Sequence, residues 1–306
     1  MTNQIGLALS SGGAKGIAHI GVLRVLEQIQ LSVSVLAGSS MGGCVAAAHA
    51  AGRSADEIEQ FIRSLRLLDM VQRDRTGLGL VGRDKIARRL GEFLGADLTF
   101  DQLRLPLALV AVDLESGEEV IIRDGSVVDG LLATMALPIV FSPMEWRGRR
   151  LVDGAVLNPI PFDVVRRMGA DRVIAVHTMS VLPNLEEAEP IPHGRGAEAA
   201  FRLFLSRPRW APLLHVSERS IGIMSRKLIE QRLAESPPDL MIEVLLEDVG
   251  LFDLDRVDEC LRVGEAAALR HVSELVEMRD APPPSRWTRW RQSFRQRLSL
   301  RKSDVS

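Results

Sequence analysis

The sequence predicts an α/β fold with a mostly parallel central sheet covered by helices on both faces. Three observations carry that expectation. Short apolar runs of strand length recur along the 306 residues, at 5–9, 33–37, 106–113, 118–123, 172–177 and 240–246. Segments with helical spacing of apolar residues lie between several of them, and such alternation builds parallel neighbours through crossover helices. The first two runs each lead into a glycine-rich turn that opens into a helix.

The run Ile5-Gly6-Leu7-Ala8-Leu9 precedes Ser11-Gly12-Gly13-Ala14-Lys15-Gly16. A helix then spans Ile17 to Gln28, with Ile17, Ile20, Val22, Leu23 and Leu26 apolar. Strand, glycine loop and helix is also the order of a nucleotide phosphate site. The Walker pattern fails, because Lys15 is followed by Gly16-Ile17 with no hydroxyl for magnesium. The dinucleotide pattern fails too, since Ser11 does not supply its first glycine. What remains is a loop of exposed backbone N–H groups at a helix start, which suits a developing alkoxide as well as a phosphate. Lys15 reads either as a local structural contact or as a contact to a phosphate headgroup.

The second run, Val33-Ser34-Val35-Leu36-Ala37, precedes Gly38-Ser39-Ser40-Met41-Gly42. Gly-x-Ser-x-Gly between a strand and a helix is the spacing of a nucleophile elbow. The turn is crowded, so glycine is needed two places before and two after the serine. From Met41 to Ala51 the chain is almost all small or apolar, as a helix buried against a sheet would be. Its N-terminus points free N–H groups at the reacting centre, the Met41 N–H among them.

A serine nucleophile needs a base. Six histidines are present: His19, His49, His177, His193, His215 and His271. His19 and His49 fall in the helices after the glycine turns and read as satisfied helical residues. His177 ends the strand 172–177 and is the best histidine for a conventional triad. Asp153 competes with it. It follows Arg149-Arg150-Leu151-Val152, precedes Gly154-Ala155, and leads to Asn158-Pro159-Ile160-Pro161. A carboxylate serves as the base directly when its pocket raises its pKa toward the working pH. Taken alone, Asp-Gly is a turn signal.

Together these pieces resemble the patatin-like phospholipase family. The matching motifs are Gly12-Gly13-Ala14-Lys15-Gly16, Gly38-Ser39-Ser40-Met41-Gly42, the segment Thr134-Met135-Ala136-Leu137-Pro138-Ile139-Val140-Phe141-Ser142-Pro143, and Asp153-Gly154-Ala155 with Asn158-Pro159. The resemblance covers residues 5 to 180 firmly and extends loosely to about 280. In detail it is most similar to the compact bacterial branch related to the neuropathy-target-esterase catalytic domain. The chain departs at Ser11, where the family loop often has a further glycine.

The resemblance implies a three-layer patatin-like sandwich and a Ser–Asp dyad. Ser40 carries over as nucleophile and Asp153 as base. Gly12 and Gly13, with Met41, supply the oxyanion hole, and Lys15 and Pro138 contact substrate. It implies hydrolysis of fatty-acyl esters of phospholipids or lysophospholipids, with no cofactor and no metal. Cys44 and Cys260 are isolated, and no His/Asp/Glu spacing looks like a ligand set.

At chain level, two cysteines argue against a disulfide framework. The N-terminus enters the first strand with no signal peptide. No apolar run reaches the roughly 18–20 residues of a membrane span. The expected location is cytoplasmic with peripheral membrane association. Residues 1–280 read as one acyl hydrolase domain. Within it, 52–100 has helical pattern with a break at Arg73–Gly82, and 181–216 reads as a lid or lipid-contact insertion.

Residues 281–306 read as a basic amphipathic tail. Trp287, Trp290, Phe294 and Leu298 recur at helical spacing among Arg286, Arg289, Arg291, Arg295 and Arg297. From 285 onward seven Lys/Arg stand against one Asp, while the whole chain carries −2. Such a segment fits an anionic membrane surface, at about 1 kcal/mol per basic residue. Nucleic acid competes for any basic-aromatic segment, but a lipid-cutting body favours membrane. Two other classes stay open. One is an α/β-hydrolase with a histidine triad, against which Ser40 follows only the second strand. The other is a non-catalytic lipid-binding or regulatory protein of the same fold.

Overall fold

The computed structural model describes residues 3–65, 78, 82–179, 211–246 and 249–282. Among the described residues eight strands form one sheet: β1 Ile5–Leu9, β2 Val35–Ser39, β3 Leu107–Asp113, β4 Glu119–Ile122, β5 Met144–Trp146, β6 Arg149–Asp153, β7 Arg172–Met179 and β8 Leu240–Leu245. Their order is β5-β6-β3-β2-β1-β7-β8, with β4 also paired to β3. The ladders β3–β2, β2–β1, β1–β7 and β7–β8 are parallel. Those of β4, β5 and β6 are antiparallel.

The helices among the described residues are α1 Ala18–Gln28, α2 Met41–Ala50, α3 Ala55–Ser64, α4 Asp84–Leu94, α5 Val127–Thr134, α6 Phe162–Arg167, α7 Ala211–Glu235, α8 Val257–Leu269 and α9 Val272–Asp280. Every residue of β1, β2 and β3 is buried, as expected of strands covered on both faces. Alternate side chains feed two cores. Leu7, Leu9, Leu36, Leu109 and Ile174 point to the layer built by α1 to α5, α8 and α9. Ala8, Val35, Ala37, Val110 and Val173 point to the thinner layer of α6 and α7, where Phe162, Val165 and Ile229 pack. Each fully buried large apolar side chain contributes about 1.5–3 kcal/mol. The result is the three-layer α/β sandwich the sequence predicts.

Local chemistry explains several ends. Ser54 caps α3 through a capping box with Glu57, worth about 1 kcal/mol. Arg232 on α7 donates to Glu119 at 2.8 Å and to Asp163 at 3.0 Å, fastening that helix to β4 and α6.

The structure departs from the sequence expectations in four places. β2 begins and ends two residues later than 33–37, because its ladders with β1 and β3 run on through Gly38 and Ser39. β7 likewise runs on to Met179, since β8 pairs along its whole length from Ile174. The hairpin β5–β6 turns on Arg147 and Gly148, both at positive φ (49° and 76°). That two-residue turn normally announces itself with Asn-Gly, and the arginine conceals it. Finally, α7 is a helix of 25 residues that begins inside the segment 181–216 read as a lid or lipid-contact insertion and runs on beyond it.

The rest of the expected lid and most of the Arg73–Gly82 break lie outside the described residues, as does the basic tail beyond Pro282. No helix among the described residues is long and apolar enough to cross a membrane.

Candidate active site

The site forms where β2 and β6 meet β3. In the β3 register, Ser39 pairs with Val110 and Asp153 with the next residue, Ala111. Consecutive residues of one strand thus fix the strands that bear Ser40 and Asp153. Ser40 sits at the N-cap of α2 with φ 54° and ψ −125°. A non-glycine residue held there stores strain of about 1–3 kcal/mol, as a nucleophile elbow does.

Glycine surrounds this turn because backbone passes too close for a side chain. A methyl on Gly38 would lie 2.6 Å from the Gly42 carbonyl oxygen, and one on Gly42 would overlap the carbonyl of Ser10. The Ser40 N–H is taken by Thr134 Oγ1 at 3.0 Å, and that hydroxyl donates to Val110 O at 2.5 Å.

Ser40 Oγ donates to Asp153 Oδ2 at 2.7 Å. The other carboxylate oxygen accepts the Ala155 N–H at 2.8 Å. Asp153 is only 1% exposed. Burial pushes its carboxyl up to about 6, against the opposing effect of the hydrogen bonds from Ala155 and Ser40. The aspartate and serine touch directly, with no histidine between them. His177 lies on β7 opposite Glu243, and burial pushes it down to about 4. His19 is fully buried, with Nε2 2.8 Å from the Ser10 carbonyl oxygen, a structural post under the glycine loop.

The glycine loop enters a 3-10 turn, Gly13–Ile17, before α1. Gly13 has φ +56°, a conformation that favours glycine. The backbone N–H groups of Gly12, Gly13 and Met41 donate to none of the described residues. The Ala14 N–H, in contrast, is held by the Leu251 carbonyl at 2.9 Å, and a methyl on Gly13 would overlap the Leu251 side chain. Lys15 is 7% exposed, at the start of the helix that follows the loop. Pro138 is half-buried in the turn after α5, beside Ile139 at φ 74°, a strained value for a β-branched residue. That turn is tied to the site by the Asp153 N–H, which donates to the Ala136 carbonyl at 3.0 Å.

Two residues that sequence reasoning did not single out belong to this arrangement. Thr134 is visible in sequence only as the first residue of a motif. Leu251 acts from the loop after β8, far along the chain, and no spacing signals it. Among the described residues, no three His, Cys, Asp or Glu side chains gather as metal ligands do.

A strained serine at a helix start is thus bonded to a buried carboxylate beside a glycine loop on a three-layer α/β sandwich. The family model for patatin-like phospholipase matches residues 7–166, and the chain belongs to that family. An uncharacterized NTE family protein of Mycobacterium tuberculosis is 36% identical over 176 residues, covering 56% of this chain and 48% of the relative. The human patatin-like phospholipase domain-containing protein 6 is 31% identical over 183 residues, covering 57% of this chain and 13% of the relative. This chain therefore spans about half the length of the mycobacterial relative. Among solved structures, VipD from Legionella pneumophila shares the fold with a TM-score of 0.57 at 13% identity, covering 91% of this chain and 67% of that one.

Proposed function

We propose that this chain is a serine lipid acyl hydrolase that cleaves fatty-acyl esters of phospholipids or lysophospholipids through Ser40 and Asp153. The observation that carries the reading is the 2.7 Å hydrogen bond from Ser40 Oγ to a carboxylate raised to about 6. Family membership supports the lipid ester as substrate class.

The chemistry follows from the geometry. Ser40 Oγ attacks the acyl carbonyl carbon as its proton passes to Asp153 Oδ2. The oxyanion sits against the N–H groups of Gly12, Gly13 and Met41, each good donor contributing about 3 kcal/mol. Collapse breaks the ester C–O bond, and Asp153 returns the proton to the leaving alcohol. Water then attacks the acyl-enzyme, gives its proton to Asp153, and Ser40 recovers it as the fatty acid leaves. A base poised near 6 is largely ionised at neutral pH yet basic enough to accept the proton. Pro138 borders the substrate in this scheme, and the basic tail holds the enzyme at an anionic membrane.

Fatty-acid release from a lysophospholipid and from a diacyl phospholipid tests the reading. Release by wild type, with the ratio placing it as lysophospholipase or phospholipase A, is the expected result. No release from either substrate, even on anionic vesicles, moves the chain to the lipid-binding alternative.

A further inference from the structure

The carboxylate of Asp153 is held by a turn, and the turn is held by α7. Asp153 Oδ1 accepts the N–H of Ala155, the second residue of the 3-10 turn Gly154–Val156. The carbonyl of the same residue accepts from Ser225 Oγ at 3.1 Å, across 70 residues of chain. Ala155 thus joins α7 to Asp153: its N–H meets the carboxylate and its carbonyl meets the serine.

Ser225 does not do what a helical serine usually does. The ordinary partner is the carbonyl four residues earlier in the same helix. Ser220, also on α7, takes that partner, donating to the Val216 carbonyl at 2.7 Å. Ser225 donates away from its helix instead. It is half-buried and Ala155 is only 7% exposed, so water competes poorly for this bond.

The support behind Ser225 is firm. Two turns further along α7, Arg232 is fastened to Asp163 and Glu119 and reaches the Leu157 carbonyl at 3.4 Å. The helix therefore grips residues 154–157 at two points. It lies outside residues 7–166, the part of the chain that the family model matches.

The groups packed about Asp153 leave its charge to its hydrogen bonds. From α2 it meets the Cys44 thiol, which burial, and then the Asp153 charge, push up to about 12, so the thiol is neutral. From β3 the residue paired with it is Ala111. On α7 the neighbours of Ser225, Arg226 and Lys227, are exposed and paired with Glu230, and Arg232 is taken by Asp163 and Glu119. Burial disfavours the ionised carboxylate, and the bonds from Ala155 and Ser40 oppose it.

We propose that Ser225 is a positioning residue for Asp153: by fixing the Ala155 carbonyl it keeps the Ala155 N–H on the carboxylate, and so sets how readily Asp153 takes the Ser40 proton. The proposal rests on the hydrolase reading of these two residues. Without the hydroxyl the turn loosens, the Ala155 bond to Oδ1 weakens, and the carboxyl keeps its proton to higher pH.

The test compares the pH profiles of kcat/KM for p-nitrophenyl octanoate on wild type, Ser225→Ala and Ser225→Thr. Alanine is the better helix former, so Ser225→Ala is expected to fold. Its acid limb moves up by about half a pH unit or more. Ser225→Thr keeps the hydroxyl and returns the limb to the wild-type position. A loss of rate that is uniform with pH, with the limb unmoved, overturns the proposal and makes Ser225 merely structural.

A second readout needs no turnover: a carbon-13 NMR titration of protein labelled at the aspartate side-chain carboxyls. The Asp153 resonance is the one missing from Asp153→Asn. Its midpoint rises in Ser225→Ala and returns in Ser225→Thr. Equal midpoints in wild type and Ser225→Ala overturn the proposal whatever the turnover. Absence of ester hydrolysis by folded wild type overturns the hydrolase reading instead, and the titration then decides by itself whether Ser225 governs the carboxyl.

Discussion

Thr134 holds Ser40 in its strained conformation: its Oγ1 accepts the Ser40 N–H at 3.0 Å while donating to the carbonyl of Val110 at 2.5 Å. One hydroxyl at the end of α5 therefore pins the start of α2 to β3.

Thr134→Val keeps the shape and removes both bonds. It leaves the Ser40 N–H without this acceptor, at a cost of about 1–3 kcal/mol. Thr134→Ser keeps the hydroxyl and most of the stability. Urea unfolding of the three proteins checks this, and a Thr134→Val midpoint equal to wild type contradicts it.

Asp153 sets a pH limb. Its carboxyl is raised to about 6 by burial, so below that pH it carries a proton and cannot take one from Ser40. The expected kcat/KM profile falls as pH drops through about 6. A limb near the ordinary aspartate range shows instead that the carboxyl is not shifted.

The same shift has a stability cost. Between the ordinary value of 3.8 and about 6 the folded state binds a proton that the unfolded chain has lost. Stability from this group therefore declines as pH rises across that window, and the penalty persists above it. At roughly 1.4 kcal/mol per pKa unit it reaches about 3 kcal/mol as an upper bound. Asp153→Asn escapes it, and is expected to be more stable than wild type at neutral pH, with the difference closing toward pH ~4. Denaturant melts at several pH values measure this; an Asp153→Asn protein less stable than wild type throughout refutes it.

Gly154 and Gly148 separate two reasons for glycine. A methyl on Gly154 would lie 2.6 Å from Ser39 Oγ and overlap the Val110 carbonyl, so Gly154→Ala pushes apart the strands that carry the site. The expected loss exceeds about 2 kcal/mol. Gly148 has open space around it and only its φ of +76° to satisfy, so Gly148→Ala costs about 1 kcal/mol. Equal melting temperatures for the two variants would sink this account of the β3 junction.

Leu251 is a positioning residue for the glycine loop. Its side chain backs Gly13 and its carbonyl takes the Ala14 N–H at 2.9 Å. Leu251→Ala loosens the loop and is expected to lower kcat about tenfold with KM little changed, because the oxyanion is met chiefly in the transition state. Leu251→Met restores most of the rate. A change confined to KM contradicts the role.

The parts of the molecule legible in the sequence are those whose geometry is local. Ser40 stands between glycines at a strand end, and Asp153 ends an apolar strand before a glycine, so each announces its own turn. Thr134 and Leu251 act across the tertiary structure, and their neighbours in sequence give no sign of it. The hairpin at Arg147-Gly148 was hidden by a side chain that rarely adopts positive φ. Helix α7 was hidden for another reason: Val216, Ile223 and Met224 are exposed among charged residues, which blurs the face on which Ile229 and Leu233 pack. The sheet order itself depends on register between distant strands, which composition and spacing do not carry.

The most direct test of Ser40 as a nucleophile activated by Asp153 is covalent labelling with an alkyl fluorophosphonate, read by peptide mass spectrometry. The account predicts a single adduct on the peptide containing Ser40, absent in Ser40→Ala and formed far more slowly in a folded Asp153→Asn. An adduct on another residue, no adduct on the folded wild type, or labelling of Asp153→Asn at the wild-type rate would contradict it.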